Sequence, residues 1–570
     1  MINKTKGGIE LGYLDGYVYI RGEKKLIKGL PQARYDKGTQ AYRVPENPYT
    51  IRDLMDYRDM GIDTTVMHPR INELMREATL LDENTARTAE KVYGSDWNRE
   101  YRGLAPGALF TPWEHQRRAL EMALLHDGFG LFMEMGTGKT KVAIDYMEAR
   151  QSEKVLIVCP KAVIQVWLRE IPKHTSRKYH VVPLMTGTSK NKAEEVKKID
   201  FSGPVVVIAN YESVWRTDLA RALQGAKFDT IIADEVHRIK SPSGKASRYL
   251  ATLGKTTKYR LGLTGTPMPH SPKDIYAIYR FIQPAIFGTN LSAWESMYAI
   301  KGGFENRQIV AFKNLDHLHR QIYRVAYRIL LDDAVDLPDS HDEILTFELS
   351  PKARETYDTI EREAVASLEF ANGKIIITNN ILTQLLRLQQ ITSGYLPNSA
   401  LYDPDDMVLE GGDEVVQMDT GKKEVLNSLL QNMAPEEPVV IFYRFNQDLR
   451  QIVEVLTDND RTFSLLNGQH NQLKKWQDEK TNALVVQIQT GGEGETFVRA
   501  RYTIYYSLGY SLKDYEQSRF RIRRPGQDRK TIYYHLVAEN TVDEKIIKAL
   551  QTKKSLVDSV LEDLKSEQGQ

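Results

Sequence analysis

Met133-Glu134-Met135-Gly136-Thr137-Gly138-Lys139-Thr140 brings two glycines, a lysine and two hydroxyls into one short run. An apolar strand, Phe129 to Met133, precedes it, and a helical pattern, Val142 to Met147, follows. In that setting the chemistry is phosphate binding. Gly136 and Gly138 let successive backbone N–H groups, including that of Thr137, turn inward toward phosphate oxygens. The N-terminus of the following helix adds positive potential. Lys139 would reach the β- and γ-phosphates and Thr140 would ligate Mg2+. The strict pattern opens on glycine, and Met133 stands there. Read alone, the run also fits a glycine-rich turn closed by a solvated lysine.

A second run weighs against that plainer reading. Asp234-Glu235-Val236-His237 follows the buried strand Thr230 to Ala233. An acidic pair at a strand end suits hydrolysis: Asp234 holds the metal and Glu235 acts as general base on the attacking water. His237 is read as a coupling residue rather than a metal ligand, since no partner His or Cys lies at ligand spacing. Further runs follow in order. Pro112-Trp113-Glu114-His115-Gln116 precedes the phosphate loop, and Leu263-Thr264-Gly265-Thr266-Pro267 follows another strand. Gly491-Gly492-Glu493-Gly494 comes after Val485 to Ile488. In Gln517 to Gln527, Arg519, Arg521, Arg523 and Arg524 crowd together. Arginines are costly to bury unpaired, so the cluster is either a solvated basic helix or a surface facing an anion.

The elements that must carry these residues fall into two α/β series. Strand runs alternate with helices at Phe129 to Met133, Val155 to Cys159, Val205 to Ala209, Thr230 to Ala233 and Tyr259 to Leu263. A second series has Val439 to Phe442, Thr462 to Leu465, Ala483 to Ile488, Tyr502 to Tyr506 and Thr531 to Leu536. Continuous apolar runs of this kind are the mark of buried parallel strands. Helices are expected at about 272–321 and 351–400, and the chain ends in helix-like sequence from Thr541. The segment 403–414 is acidic and turn-rich, an expected exposed loop. Before all this, a small α+β module is expected: a strand at Tyr17 to Ile20, a short helix at Lys24 to Leu30, a hairpin across Ala33 to Val44, and a helix from Asn47-Pro48 to about Met60. The expected division is 1–103 for this accessory module, 104–325 and 326–540 for the two lobes, and 541–570 for a terminal helix.

Composition bounds the rest. The 570 residues suggest about three to five domains. Seventy-seven Lys+Arg against 76 Asp+Glu leave a net charge of +1, which excludes only a uniformly basic surface. The cancellation hides patches: Arg499 to Lys530 holds nine basic and three acidic residues, and residues 1–50 hold nine and five. The lone Cys159 rules out an intrachain disulfide framework and reads as a buried strand residue. The start Met1-Ile2-Asn3-Lys4 lacks the apolar core of a signal peptide, and no apolar run approaches the length of a membrane span. A cytoplasmic protein of a bacterial or virus-infected bacterial cell, with no membrane role, is the expectation.

Taken together, the runs from Thr111 to the terminal helix resemble the Swi/Snf-type ATPases of helicase superfamily two, with at least six motifs in that family's order. The resemblance implies two RecA-like parallel-sheet lobes with helical protrusions, joined to the α+β module. It implies ATP and Mg2+ as cofactors, and ATP seated between the lobes. It places Gln116 on the adenine, Gly136 to Thr140 on the phosphates, and Gly494 and Gln527 at the nucleotide. Arg521 and Arg524 match the arginine fingers that act on the transferring phosphoryl group. Thr264, Gly265 and Thr266, with His237, couple nucleotide state to DNA contact. Ile381 to Leu396 resembles the second protrusion. Four departures stand out: Met133 for the usual Asp, Val236 within the acidic motif, Arg523 for a His, and Gln489 to Thr496 without the usual Arg and Asn.

The N-terminal module resembles the small domain that precedes the motor in annealing helicases, through Leu30 to Asp36 and Ala41 to Pro45. That resemblance implies recognition of branched DNA, with Arg34, Tyr35, Tyr42 and Arg43 as contacts. The plainer alternative makes the tyrosines cross-strand packing residues. The expected function is therefore a DNA-dependent ATPase that translocates on double-stranded DNA and remodels or reanneals forks, in repair or at the replication fork. A strand-separating DNA or RNA helicase, and an ATP-gated DNA-binding scaffold with little turnover, are the alternatives. A protein partner is compatible with either.

Overall fold

Along Ile9–Leu14 (β1) and Tyr17–Arg21 (β2), buried residues recur at every second position, the period of a sheet with one covered face. In the computed structural model, which describes residues 9–22, 27, 30, 33–59, 64–93, 109–269, 271–302, 308–366, 369–371, 374–376, 379–397, 415–489 and 495–552, these two strands pair antiparallel. With Arg34–Asp36 (β3), Ala41–Pro45 (β4) and Thr64–Val66 (β5) they form a five-stranded sheet in the order β3-β4-β2-β1-β5. The expected hairpin and the helix Pro48–Asp59 are present. The helix Pro69–Tyr93 and strands β1 and β5 are additional. Ile9, Leu11, Val18, Ile20, Val44, Ile51, Leu54 and Ile71 form the module's core. Most of the short helix expected at Lys24 to Leu30 lies outside the described residues.

The chain divides into two compact units, Met1–Ala334 and Val335–Gln570. The N-terminal module belongs to the first. Tyr49 is counted in the first lobe's own core, and its hydroxyl lies 2.7 Å from His126 Nδ1. Arg324 lies over the Tyr49 ring and pairs with Asp53 at 3.3 Å. The module is thus packed into the lobe rather than strung ahead of it.

The first lobe is built on Gly128–Met133 (β6), Lys154–Cys159 (β7), His180–Pro183 (β8), Val205–Asn210 (β9), Thr230–Asp234 (β10) and Tyr259–Leu263 (β11), followed by the hairpin Ala299–Gly302 (β12) and Gln308–Phe312 (β13), and closed by Ala326–Ile329 (β14). The seven-stranded sheet runs β14-β6-β11-β10-β7-β9-β8, and every pairing in it is parallel. Its five central strands are the five expected runs. Strands β8 and β14 went unforeseen because each has four residues and one neighbour. β14 corrects a boundary: Ala326 to Ile329 pair with Gly130 to Met133, so the first lobe runs on to about Ala334 instead of ending at 325. The stretch 272–321 carries the expected helices, Asp274–Ile282, Pro284–Phe287, Leu291–Tyr298 and Leu315–Tyr323, with β12 and β13 inserted among them.

The second unit contains Ser340–Phe347 (β15), Glu369–Ala371 (β16), Lys374–Ile376 (β17), Tyr395–Pro397 (β18), Val415–Gln417 (β19), Val439–Tyr443 (β20), Phe463–Leu466 (β21), Ala483–Gln487 (β22), Tyr502–Tyr505 (β23) and Thr531–Ala538 (β24). Its six-stranded parallel sheet has the order β15-β24-β23-β20-β22-β21. β15 was not foreseen: it is an edge strand of polar sequence, aligned with β24 over its whole length. The expected helical stretch from 351 is two helices, Pro351–Ala366 and Asn379–Thr392, around the small β16–β17 hairpin. The terminal helix spans Val542–Thr552. The acidic segment 403–414 and residues 553–570 lie outside the described residues. Among those described, no helix is long and apolar enough to cross a membrane.

Candidate nucleotide-hydrolysis site

Parallel α/β sheets present their ligand-binding loops at the carboxyl ends of the strands. In the first lobe β10, β11 and β6 are adjacent, with Asp234 opposite Leu263 and Leu263 opposite Leu131. Three of the sequence motifs leave the sheet at those ends: the acidic pair from β10, Thr264-Gly265-Thr266 from β11, and the phosphate loop from β6. They are close enough that a Cβ on Gly265 would lie 3.4 Å from the Glu134 Cα.

The loop from Glu134 to Gly138 turns on two left-handed glycines, Gly136 at φ +84° and Gly138 at φ +83°. A side chain at Gly138 would meet the Gln116 amide at 2.2 Å. Gln116 donates to the Thr137 carbonyl at 3.1 Å and accepts from the Trp113 N–H at 3.0 Å. His115 Nε2 lies 2.7 Å from the same Thr137 carbonyl. Both residues of the upstream motif therefore grip the phosphate loop. Lys139 begins the helix Lys139–Ala149, and its ammonium donates to the carbonyls of Met133 at 3.0 Å and Glu134 at 3.2 Å. Burial pushes the Lys139 ammonium down, against the pull of the Glu235, Asp234 and Glu134 carboxylates around it.

Asp234 is held from three sides. Trp167 Nε1 donates to its Oδ2 at 2.9 Å, the Glu235 N–H to its Oδ1 at 2.9 Å, and the Tyr211 hydroxyl to its backbone carbonyl at 2.7 Å. Burial raises the Tyr211 phenol well above its ordinary value, so it stays a donor. Glu235 sits at φ +52°, an uncommon conformation for a residue with a side chain and one found at functional sites. Its carboxylate Oε2 lies 3.1 Å from His237 Nδ1 and 3.5 Å from the Thr264 hydroxyl, and Thr264 lies 3.0 Å from the same His237 nitrogen. The Thr264 hydroxyl also accepts from the Thr266 N–H at 3.1 Å. The acidic motif and the β11 motif are thereby one hydrogen-bonded group. Asp234 and Thr140 offer hard oxygen donors of the kind Mg2+ takes.

In the second unit the arginine cluster divides by task. Arg519 forms a two-pronged pair with Asp342 of β15, one arm at 3.0 Å, and lies 3.9 Å over the Tyr533 ring. Arg523 donates to the Pro338 carbonyl at 3.2 Å. Arg521 is buried, its guanidinium 5.6 Å from the Phe497 ring, and its backbone carbonyl accepts from the Phe497 N–H at 2.7 Å. Arg524 reaches the Glu495 carbonyl at 3.4 Å. Gln527, expected at the nucleotide, has its amide spent on the backbone: it donates to Val498 and Ala500 and accepts from the Arg529 N–H. It joins two loops of its own unit. Gly494 lies outside the described residues.

The DNA-contact candidates lie on the N-terminal sheet. Tyr35 and Tyr42 are cross-strand partners with rings 5.2 Å apart, edge to face, as the packing alternative has it, although Tyr35 remains 55% exposed. Arg34 opposes Arg43, which lies 4.9 Å over the Tyr17 ring and 3.7 Å from Asp36. Sequence reasoning passed over Trp167, Tyr211 and Glu134. For Tyr211 the available signal was a large aromatic immediately after a buried strand; Trp167, inside the helix Ile164–His174, carried none. Glu134 carried no signal beyond its place in the loop.

The glycine loop, the acidic pair and the Thr264-Gly265-Thr266 segment thus leave adjacent parallel strands, an arrangement suited to nucleotide hydrolysis. Comparison with known proteins narrows the class. Residues 113–394 match the SNF2-related domain, and residues 421–526 match the helicase conserved C-terminal domain, together about two-thirds of the chain. Protein p41 of Acyrthosiphon pisum secondary endosymbiont phage 1 is 25% identical over 479 residues, 80% of this chain and 99% of that protein. The ISWI chromatin-remodeling complex ATPase ISW1 of Saccharomyces cerevisiae is 24% identical over 456 residues, 75% of this chain but only 38% of the yeast protein. Among solved structures, the Sulfolobus solfataricus SWI2/SNF2 ATPase core in complex with dsDNA is 22% identical, covering 81% of this chain and 95% of that one, with a TM-score of 0.38. The chain belongs to the SNF2-related ATPases of helicase superfamily two, and its activity is DNA-dependent ATP hydrolysis. Each of its two units is built on one parallel sheet.

Proposed function

We propose that the chain is an ATP-driven translocase on double-stranded DNA. The observation that carries this reading is the hydrogen-bonded group of Glu235, His237 and Thr264, which ties the residue cast as general base to the segment cast as coupling. A base held by the coupling segment is what a DNA-gated hydrolase needs, because DNA contact can then alter the aim of the carboxylate.

In this reading Gly136, Thr137, Gly138 and Lys139 receive the phosphates. Gln116, fixed to the loop, frames the adenine side. Thr140 and Asp234 hold Mg2+, which when bound neutralises charge on the phosphates. Glu235 takes the proton of the attacking water, and Arg521 and Arg524 stabilise charge on the transferring phosphoryl group. Thr264 to Thr266 and His237 pass the change onward. The open face of the N-terminal sheet, through Arg34 and Arg43 with Tyr35 and Tyr42 at its edge, directs the motor to branched or forked DNA. Because that module packs on the first lobe through Tyr49 and Asp53, point variants test it better than truncation.

The deciding experiment is displacement of a third strand from duplex DNA, run beside ATPase assays with single-stranded, duplex and forked DNA. ATP-dependent triplex displacement without duplex unwinding is the expected result. Unwinding of the duplex itself would favour the strand-separating alternative, and DNA binding without stimulated phosphate release would favour the scaffold. Arg34→Ser with Arg43→Ser should remove any preference for forks.

A further inference from the structure

Glu134 belongs to the phosphate loop, yet its carboxylate does not join the group around Asp234 and Glu235. Its Oε2 accepts from the Leu331 N–H at 2.6 Å. Leu331 is buried and opens the short turn of helix Leu331–Ala334, the last residues of the first unit. The Glu134 backbone is engaged on both sides. Its N–H donates to the Ile329 carbonyl at 2.9 Å, and its carbonyl accepts from Lys139 Nζ at 3.2 Å and the Thr137 hydroxyl at 2.7 Å. His115 repeats the pattern. Its Nε2 lies on the Thr137 carbonyl at 2.7 Å, and its ring also bonds the Ala334 backbone.

Two side chains thus bridge the same pair of segments. On one side is the phosphate loop, at Glu134 and Thr137. On the other is 331–334, reached at its first residue by Glu134 and at its last by His115. Both bridges are sheltered: Leu331 is 1% exposed and His115 4%. A hydrogen bond to a carboxylate in such a setting is stronger than a neutral one. The segment leads directly into β15 of the second unit.

We propose that Glu134 and His115 are positioning residues that clasp the phosphate loop to the chain leaving the first unit, so that phosphate binding at the loop is felt at residues 331–334. The inference rests on ATP phosphates binding at this loop. To reach a phosphate, Lys139 must give up the Met133 and Glu134 carbonyls. That releases the backbone of the residue whose side chain holds Leu331. DNA stimulation of turnover then depends on the clasp even though neither residue touches the reacting atoms.

The test uses the full chain with Glu134→Ala, Glu134→Gln and Lys139→Ala. Three quantities are read: binding of ATPγS with Mg2+, the ratio of DNA-stimulated to basal ATPase, and amide hydrogen exchange at Leu331 with and without ATPγS. Glutamine keeps an acceptor oxygen, so it separates loss of the clasp from loss of the charge or of folding. Glu134→Ala should lower the stimulation ratio about tenfold and abolish the response of the Leu331 amide to ATPγS, and Glu134→Gln should restore most of both. Lys139→Ala should lose ATPγS binding, which secures the phosphate site independently. With that binding lost, an unchanged stimulation ratio in Glu134→Ala, or equal damage in Ala and Gln, overturns the clasp alone. If Lys139→Ala binds ATPγS as the parent does, the phosphate-site reading falls and the clasp falls with it.

Discussion

The indole N–H of Trp167 donates to the carboxylate of Asp234 at 2.9 Å, and Trp167 is fully buried. The residue cast as metal ligand is thereby aimed from the helix Ile164–His174. Trp167→Phe keeps most of the ring and removes the donor. Loss of such a second-layer partner typically costs 10–100-fold in metal affinity or activity. The expected outcome is about a tenfold rise in the Mg2+ concentration for half-maximal ATPase, read by Mg2+ titration. An unchanged titration would show that Asp234 needs no such aim.

Glu235→Gln preserves shape and removes the base. Nucleotide binding should stay within a few-fold of the parent, while turnover falls by about 10²-fold or more. Equilibrium binding of a fluorescent ADP analogue and phosphate release, measured on one preparation, check both halves. Normal turnover would move the base elsewhere.

Two arginines of one cluster should fail differently. Arg519 is spent on Asp342 and Tyr533, so Arg519→Ala should cost roughly 1–3 kcal/mol of stability in the second unit. Asp342→Ala should do the same. Arg521→Ala should depress turnover more than nucleotide affinity. Calorimetry beside steady-state kinetics separates the two behaviours.

Burial, with the Arg324 and Arg150 guanidinium groups beside it, pushes the His126 imidazole down to about 4. The neutral ring accepts from the Tyr49 hydroxyl, whose own proton burial holds firmly. A base depressed in the folded state stabilises fully above its unfolded value near 6.5, and that contribution is lost as pH falls through about 4. The seam between module and lobe should therefore weaken across that window, by about 3 kcal/mol in all. Denaturant unfolding at pH 7 and pH 4.5 should show the loss in the parent and a smaller one in His126→Gln.

The central strands were legible because burial on both faces writes an uninterrupted apolar run, as in Val155 to Cys159 or Val205 to Ala209. Edge strands carry no such mark. Ser340 to Phe347 alternates with solvent and includes His341, Asp342 and Glu343, yet it is aligned along all of β24. The placement of the motifs was legible too, because the glycine loop and the acidic pair each follow an uninterrupted apolar strand in sequence and leave adjacent strands, β6, β11 and β10, in the fold. Their supports were not. Trp167, Tyr211 and Leu331 reach the site from positions remote in sequence, by contacts that no local pattern encodes. Gln527, recognisable by motif, has contacts that the motif does not foretell: its amide donates to the Val498 and Ala500 carbonyls.

The pairing of Asp53 with Arg324 spans 271 residues of chain. At a synthesis rate of about 5–20 residues per second, the module leaves the ribosome roughly 15–55 s before its arginine partner exists. Strand β14, which follows Arg324 directly, is likewise the last piece of the first sheet to be made, and it lies beside β6, the first. The lobe therefore cannot close in the order in which it is translated. Until residue 329 emerges, Asp53 lacks its arginine and one edge of β6 stays open, and a ribosome stalled in that interval would display both.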